Sequence, residues 1–325
     1  MKRIDLNTAA QRLLEASAVR ILTHNHPDGD TLGSAYALAH ALRALGKAVC
    51  VACEDPVPAM FAYMAEGLPP CTLLPDACLL VCVDVADKHL LGTEFAARYG
   101  DQIDLNIDHH PTNTLFAKET LLDPDAAAAA EVVSDLIDAL GAPLDLRTAA
   151  CLYAGISTDT GCFRYANTTA CSHRCAARYM DLGLRTEPLD RAFFETDTRT
   201  YLALERMAFD GLRYYCGGRV ALVAVTQEMF ARSGSNEEEF IKIVARVRQI
   251  EGVAVGVAIR QRQGGNYNDY KISLRSVEPI DAAAICAKMG GGGHIRAAAC
   301  VSALPLEETI AMVVGYIEEA LEGTP

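Results

Sequence analysis

The sequence predicts an α/β protein, with an N-terminal parallel sheet covered by helices on both faces and a smaller α+β domain after it. Three observations carry this expectation. Short apolar runs such as Leu79-Leu80-Val81-Cys82-Val83 alternate with Ala/Leu-rich stretches of helical period through the first 195 residues, as strands buried on both faces do. Several of those runs end in an acid or a histidine, at the carboxyl edge where open α/β sheets bind ligands. Beyond about residue 215 strands cluster together and helices are fewer.

Taken in order, Asn7 or Thr8 can cap a first helix to about Ala18, with Leu13 and Leu14 on its apolar face. Val19-Arg20-Ile21-Leu22-Thr23 reads as a strand running straight into His24-Asn25-His26-Pro27-Asp28-Gly29-Asp30. A helix from Thr31 to Leu45 is closed by Gly46, and Ala48 to Cys53 is the next strand. Strands from Leu79 to Val83 and from Ile103 to Ile107 end in Asp84 and Asp108. Asp123-Pro124-Asp125 is expected to start a helix from Ala126 to Leu140, broken by Gly141-Ala142-Pro143, and a second helix runs from Leu146 toward Asp159-Thr160-Gly161. Helical stretches follow near Thr169 to Leu182 and Pro188 to Glu195.

The domain boundary is expected at 196–215, a connecting helix with Leu202, Leu204, Met207 and Leu212 as its apolar positions, between domains at 1–195 and 216–325. The second domain reads as strands Arg219 to Val225, Val253 to Gln261, Tyr270 to Ser276 and Ala297 to Ser302, with helices Glu237 to Val247 and Leu306 to Leu321. The polar Gly-Gly stretch from Gln261 to Asn268 makes a hairpin of the second and third strands.

A net charge of −13 and a pI near 5.1 argue against a protein that grips long duplex nucleic acid by neutralising many phosphates. A mononucleotide needs only a few local cations. There is no charged-then-apolar leader and no apolar run of bilayer length, so a cytoplasmic protein without membrane partners is expected. The twelve cysteines lie scattered in apolar segments and read as buried thiols of a reducing compartment. Cys50 and Cys53 have CxxC spacing with no second pair, so a structural zinc is not expected.

The chemistry gathers in the first domain. In Ile107-Asp108-His109-His110 an apolar run ends abruptly in an acid and two imidazoles, and since neighbouring side chains on a strand face opposite ways, a turn must follow. In His24-x-x-x-Asp28-x-Asp30 the alternate carboxylates suit two metal ions better than one, although the same residues also make a turn and an N-cap. Spacing alone leaves both His24 and His26 open as ligands. Asp28, Asp30, Asp84 and Asp159 at one edge would bring four negative charges together, which is severely unfavourable without protons or cations. Two divalent ions would cancel that charge. Oxygen and imidazole donors without thiolate suit manganese, with magnesium or cobalt as alternatives. A pair of ions about 3.5 to 4 Å apart activates water for phosphoester hydrolysis.

These motifs, His24-x-x-Pro27-Asp28-Gly29-Asp30, Asp84, Asp108-His109-His110 and Thr158-Asp159-Thr160-Gly161, resemble in order the four N-terminal motifs of the DHH phosphoesterase family. Leu274-Arg275-Ser276 with Gly290-Gly291-Gly292-Gly293-His294 resembles its DHHA1 C-terminal domain. The nearest resemblance is to the oligoribonuclease and pAp-phosphatase branch of nanoRNase type. It implies one metal held by His24, Asp28 and Asp84, and a second by Asp30, Asp84, His109 and Asp159, with Asp84 bridging. His110 is then free for the phosphate or the leaving oxygen, and Asp108 orients an imidazole. Where many relatives carry hydroxyl residues before Glu131, this chain has Ala126 to Ala130, so no hydroxyl contact with substrate is available there.

The resemblance also implies substrate contacts from Arg275, His294 and a backbone nest at Gly291, Gly292 and Gly293, with Arg164 a further candidate. The implied substrates are very short oligoribonucleotides and 3′-phosphoadenosine 5′-phosphate (pAp), and a homodimer is compatible with the branch. A manganese inorganic pyrophosphatase shares the N-terminal motifs but is expected to carry a basic C-terminal signature where this chain has Gly291-Gly292-Gly293-His294, and two rivals stand beside the reading. One is hydrolysis of linear dinucleotides from cyclic di-AMP turnover, and the other is a nucleotide-binding regulator without activity.

Overall fold

The computed structural model describes residues 2–75, 77–262 and 268–323, apart from the side chains of residues 238 and 294. The chain divides into two units, residues 1–196 and 197–325.

In chain order the first unit comprises β1 (Lys2–Arg3), α1 (Leu6–Glu15), β2 (Ala18–Leu22), α2 (Gly29–Ala44), β3 (Ala48–Ala52), β4 (Leu79–Val83), α3 (Thr93–Tyr99), β5 (Leu105–Asp108), β6 (Glu119–Leu122), α4 (Ala129–Ala139), α5 (Leu146–Asp159), α6 (Ala170–Asp181) and α7 (Glu187–Asp190). Its six strands form one sheet in the order β1-β6-β5-β4-β2-β3, and every pairing is parallel. Alternation within β4 explains the layers. Val81 and Val83 join the core under the helices α1, α2, α4 and α5, while Leu80 and Cys82 face a smaller cluster with Tyr99 of α3. Both faces are therefore covered, which is why these strands read as unbroken apolar runs.

Helices α2 and α5 lie very close because glycine faces glycine. A Cβ on Gly33 would come within 2.9 Å of the Gly155 nitrogen. The helix-start signals differ in detail from the sequence reading. Asp5 caps α1 by accepting from the Thr8 N–H at 2.8 Å, displacing Asn7 and Thr8 from that role. Helix α4 begins at Ala129 rather than Ala126, because the preceding alanines use their backbone groups elsewhere, as described below.

One cysteine expectation fails. Cys50 of β3 and Cys71 form a disulfide, their Cα atoms 5.2 Å apart. The chain returns from β3 through a short helical turn at Cys71–Leu73, and that return seats the two residues within bridging distance. No residue pattern announced it.

The second unit comprises α8 (Arg199–Asp210), β7 (Arg213–Tyr215), β8 (Val220–Val225), α9 (Gln227–Ser233), α10 (Glu237–Arg248), β9 (Val255–Gln261), β10 (Tyr270–Ser276), α11 (Ala282–Ala287), β11 (Gly292–His294), β12 (Ala297–Ser302) and α12 (Leu306–Glu322). The sheet order is β11-β12-β10-β9-β8-β7. All pairs are antiparallel except β8 with β9, which α9 and α10 connect as a crossover. On β9, Val255, Val257 and Ile259 pack with α11 and α12, and Ala258 faces the cluster of α8 and α10. The helix expected as a connector is α8, and its Tyr201, Leu204 and Ala208 are buried in the core of this unit. Strands β9 and β10 pair in register from Val255 with Ser276 to Gln261 with Tyr270. The Gly-Gly stretch expected to turn between them lies, over residues 263–267, outside the described residues.

Candidate metal centre

The first unit's strands and helices end at one edge of the parallel sheet. β2 leads into His24, β4 into Asp84 and β5 into Asp108-His109-His110, while α5 ends in Asp159 and α2 starts after Asp28. Asp28 is an extended N-cap whose Oδ1 accepts from the N–H groups of Asp30 at 3.0 Å and Thr31 at 3.1 Å. Asp84 leaves β4 with φ at +61°, a left-handed conformation costing about 1–3 kcal/mol for a non-glycine residue. That turn aims its carboxylate between two histidines.

The distances divide the residues into two groups sharing Asp84. His24 Nε2 lies 3.7 Å from Asp28 Oδ1 and 3.7 Å from Asp84 Oδ2. His109 Nε2 lies 3.5 Å from Asp84 Oδ1, 3.8 Å from Asp30 Oδ2 and 3.9 Å from Asp159 Oδ2. These separations exceed hydrogen-bond length. They match two donors on a common ion, which stand about 3 to 4 Å apart when each bond is about 2.1 Å. His24, Asp28 and Asp84 form one group able to hold a metal, Asp30, His109 and Asp159 another, and Asp84, His109 and His110 a third that overlaps both. Asp84 is 3% exposed, and its Oδ1 is buried with no hydrogen-bond donor, so the apo site leaves a carboxylate oxygen that a cation would satisfy.

The imidazoles are oriented for that task. His24 Nδ1 is 2.7 Å from the Asn25 carbonyl and His109 Nδ1 is 3.1 Å from the Ala126 carbonyl. A carbonyl only accepts, so each Nδ1 carries the proton and each Nε2 lone pair faces the carboxylates. His110 differs. Its Nδ1–H donates to Asp108 Oδ1 at 2.8 Å, which removes that nitrogen from metal binding even though it lies 3.5 Å from Asp84. Asn113 in turn donates to the other Asp108 oxygen. His110 Nε2 is left without an assigned role among these ligands.

Electrostatics follow the crowding. Burial, then the charges of Asp30 and Asp28, push Asp84 well above the usual carboxylate range and Asp159 up to about 8. Burial also raises Asp30, partly offset by His109. For His24 and His110 burial disfavours the charged form, but the nearby carboxylate of Asp28 and the hydrogen-bonded carboxylate of Asp108 respectively outweigh it and raise both. A cavity of about 170 Å³ opens against His24, Asp28, Asp84, His110 and Asp159.

Other expected residues stand apart from this cluster. His26 is 2.9 Å from Asp55 and its ring is solvent-exposed, so of the two histidines that spacing left open it is His24 that faces the carboxylates. Arg164 donates from Nε to the Gly161 carbonyl at 2.6 Å and lies 5.9 Å from the Phe194 ring. In the second unit the glycine run does not form a free-standing nest. Gly292 and Gly293 enter the edge strand β11, opposite Ala299 and Ala298. Glycine is required there by close approach: a Cβ on Gly291 would lie 2.7 Å from the Cys300 Cα, and Gly293 has φ +144°. Arg275 and His294 both pair with Ala297, on either side of it, which places their backbones in one row across the sheet. The His294 side chain lies outside the described residues.

Sequence reasoning missed the residues that hold the ligands. Asp30 Oδ2 accepts from the Ala129 N–H at 2.6 Å, and its Oδ1 from the Ala130 N–H at 3.0 Å and the Ser34 hydroxyl at 3.0 Å. Asn167 and Glu131 also bind this alanine segment. A buried acid in an alanine run was the one available signal, and Asn167 gave none.

Comparison with known proteins agrees with the geometry. The family profile described as DHH family, N-terminal domain, matches residues 18–156, and that of the DHHA1 domain matches residues 218–322. The bifunctional oligoribonuclease and PAP phosphatase NrnA of Thermus thermophilus is 34% identical, over 93% of this chain and 90% of its own. An exopolyphosphatase-related protein from Bacteroides fragilis superposes with a TM-score of 0.86 at 23% identity, covering 98% of this chain and 95% of its own. RecJ from Thermus thermophilus in complex with Mn2+ shares the fold at a TM-score of 0.57 and 16% identity, over 97% of this chain and 55% of its own. The chain belongs to the DHH family, with a DHHA1 domain following its DHH domain.

Proposed function

We propose that this protein is a two-metal phosphoesterase that hydrolyses very short oligoribonucleotides to mononucleotides and pAp to AMP and phosphate. The observation that carries the reading is the pair of ligand groups, His24/Asp28/Asp84 and Asp30/His109/Asp159, meeting at Asp84. The substrate class comes from the NrnA relative, whose likeness runs through both domains. Bound divalent ions, with Mn2+ favoured by the O/N donor set and present in the RecJ complex, would neutralise the carboxylates and lower the pKa of water at the phosphorus.

The chain's own residues do the rest. Asp108 holds the His110 Nδ1–H and favours a second proton on the ring, so the Nε2–H of the imidazolium is the donor to a phosphoryl oxygen or to the leaving oxygen. His24 and His109 are held in one tautomer by backbone carbonyls, which avoids reorganisation when a ligand binds. In the second unit Arg275 and the β11 backbone at Gly292 and Gly293 are the proposed contacts for phosphate or sugar oxygens, together with Gly291 and His294. Arg164 of the first unit is a further proposed contact. Among the described residues no helix is long and apolar enough to cross a membrane; for the cytoplasmic location we propose, the ten free cysteines speak in favour and the Cys50–Cys71 disulfide against.

The test is side-by-side turnover of a labelled RNA dinucleotide, pAp, linear di-AMP and pyrophosphate by Mn2+-loaded protein. Release of mononucleotide and of phosphate from the first two is expected. Hydrolysis confined to linear di-AMP or pyrophosphate would replace the assignment, and pAp binding without phosphate release would make the protein a nucleotide-binding regulator.

A further inference from the structure

Three ligands of one metal group, all but the shared Asp84, are tied to the same short segment. The Ala129 and Ala130 N–H groups hold both oxygens of Asp30. The Ala126 carbonyl accepts from His109 Nδ1. Asn167 reaches Asp159 from the other side: its Nδ2 donates to the Ala127 carbonyl at 3.0 Å, the Asp159 carbonyl at 3.2 Å and Asp159 Oδ2 at 3.4 Å. The segment is itself stapled by Glu131, whose Oε2 accepts from the Ala127 N–H at 3.2 Å. Glu131 is 5% exposed, and its Oε1 has no hydrogen-bond donor. A buried carboxylate so poorly solvated is costly unless its one contact matters. Among the described residues His24 and Asp28 of the other group have no such tie, since Asp28 is set by the start of α2 and His24 by Asn25.

We propose that Glu131 and Asn167 are positioning residues that act through the backbone of Ala126 to Ala130 to set Asp30, His109 and Asp159, and so control the affinity of one metal position without the other. The inference rests on the two-metal reading above. It also accounts for the alanines, because every group the segment contributes is an N–H or a C=O and no side chain beyond Cβ is needed. Ala130 in fact has little room, for a Cβ on Gly155 would stand 2.6 Å from its own Cβ. Loss of the Glu131 acceptor frees the Ala127 N–H and loosens the segment, while loss of Asn167 uncouples Asp159 from it.

The experiment is titration of the apo full chain with Mn2+, free ion followed by electron paramagnetic resonance and heat by calorimetry, for the wild type and for Glu131→Ala, Glu131→Gln and Asn167→Ala. The wild type is expected to bind two ions. Glu131→Ala should weaken one of them by about 10–100-fold, the range for losing a group that orients a metal ligand, and leave the other within about twofold. Glu131→Gln keeps an oxygen that accepts from Ala127 and should stay close to wild type. Asn167→Ala, at an exposed position, should weaken the same ion by a smaller factor and tests the proposal even if Glu131→Ala fails to fold. A merely structural role would lower the melting temperature without splitting the two affinities. Equal loss at both ions, unchanged binding in folded variants, or the same loss in Glu131→Gln as in Glu131→Ala would overturn the proposal. A wild type that binds no pair of ions would instead sink the reading beneath it.

Discussion

Replacing Asp84 by asparagine separates the cost of the site from its use. In the apo protein Asp84 is buried among Asp30, Asp28, Asp108 and Asp159, each of which disfavours its ionised form. Asparagine keeps the shape and removes one member of that repelling set, so the apo melting temperature should stay level or rise. What disappears is the carboxylate that faces His24 with one oxygen and His109 with the other, at 3.7 and 3.5 Å. A ligand present at about 100 times its Kd stabilises the folded state by about 2.7 kcal/mol. For a unit of this size each kcal/mol raises the melting temperature by about 2–4 °C, so Mn2+ should raise the wild type by about 5–11 °C per tightly bound ion. Asp84→Asn should lose most of that increment and all measurable turnover. The assay is differential scanning calorimetry with Mn2+ and with chelator, paired with hydrolysis of an RNA dinucleotide. A variant that keeps the wild-type Mn2+ increment or turns over substrate would refute the bridging role.

Three further outcomes follow from the same geometry. Asp84, Asp30 and Asp159 hold protons in the apo fold that the unfolded chain releases near pH 3.8, and the raised His24 and His110 act in the same direction. Apo stability therefore falls as pH rises from about 4 through about 8, and the Mn2+ increment grows over that window; an apo melting temperature that climbs with pH between about 5.5 and 8 would contradict this. Gly155→Ala puts a Cβ 2.8 Å from Asp30 Oδ1 and 2.6 Å from the Ala130 Cβ, so it should cost about 1–3 kcal/mol by overpacking and weaken Mn2+ binding, and an unchanged urea midpoint would count against that packing. Arg275→Ala should raise KM with kcat held within about twofold, whereas loss of kcat alone would place Arg275 in the transition state.

What the sequence disclosed and what it concealed divide along a physical line. Strands β4, β10 and β12 were legible to the residue, because burial on one or both faces forces an apolar run or a strict alternation onto the chain. The clustering of the candidate ligands was legible for a related reason: acids and imidazoles at the end of an apolar strand are out of place unless something neutralises them. The two-residue strand β1, the return of Cys71 to Cys50 and the late start of α4 were not, since each depends on where distant chain arrives. Ala126 to Ala130 is the instructive case. Composition made it a helix, and Ala129 and Ala130 do begin one, but Ala126 to Ala128 stay outside it while their neighbours face Asp30. Alanine carries no side-chain chemistry to read, so the work of its backbone becomes visible only once Asp30, His109 and Asn167, between 17 and 100 positions from the alanine groups they meet, have been brought beside it. The cluster is written twice in the chain: its acids and imidazoles in residue types, and the frame that holds them in backbone groups that any small residue could supply.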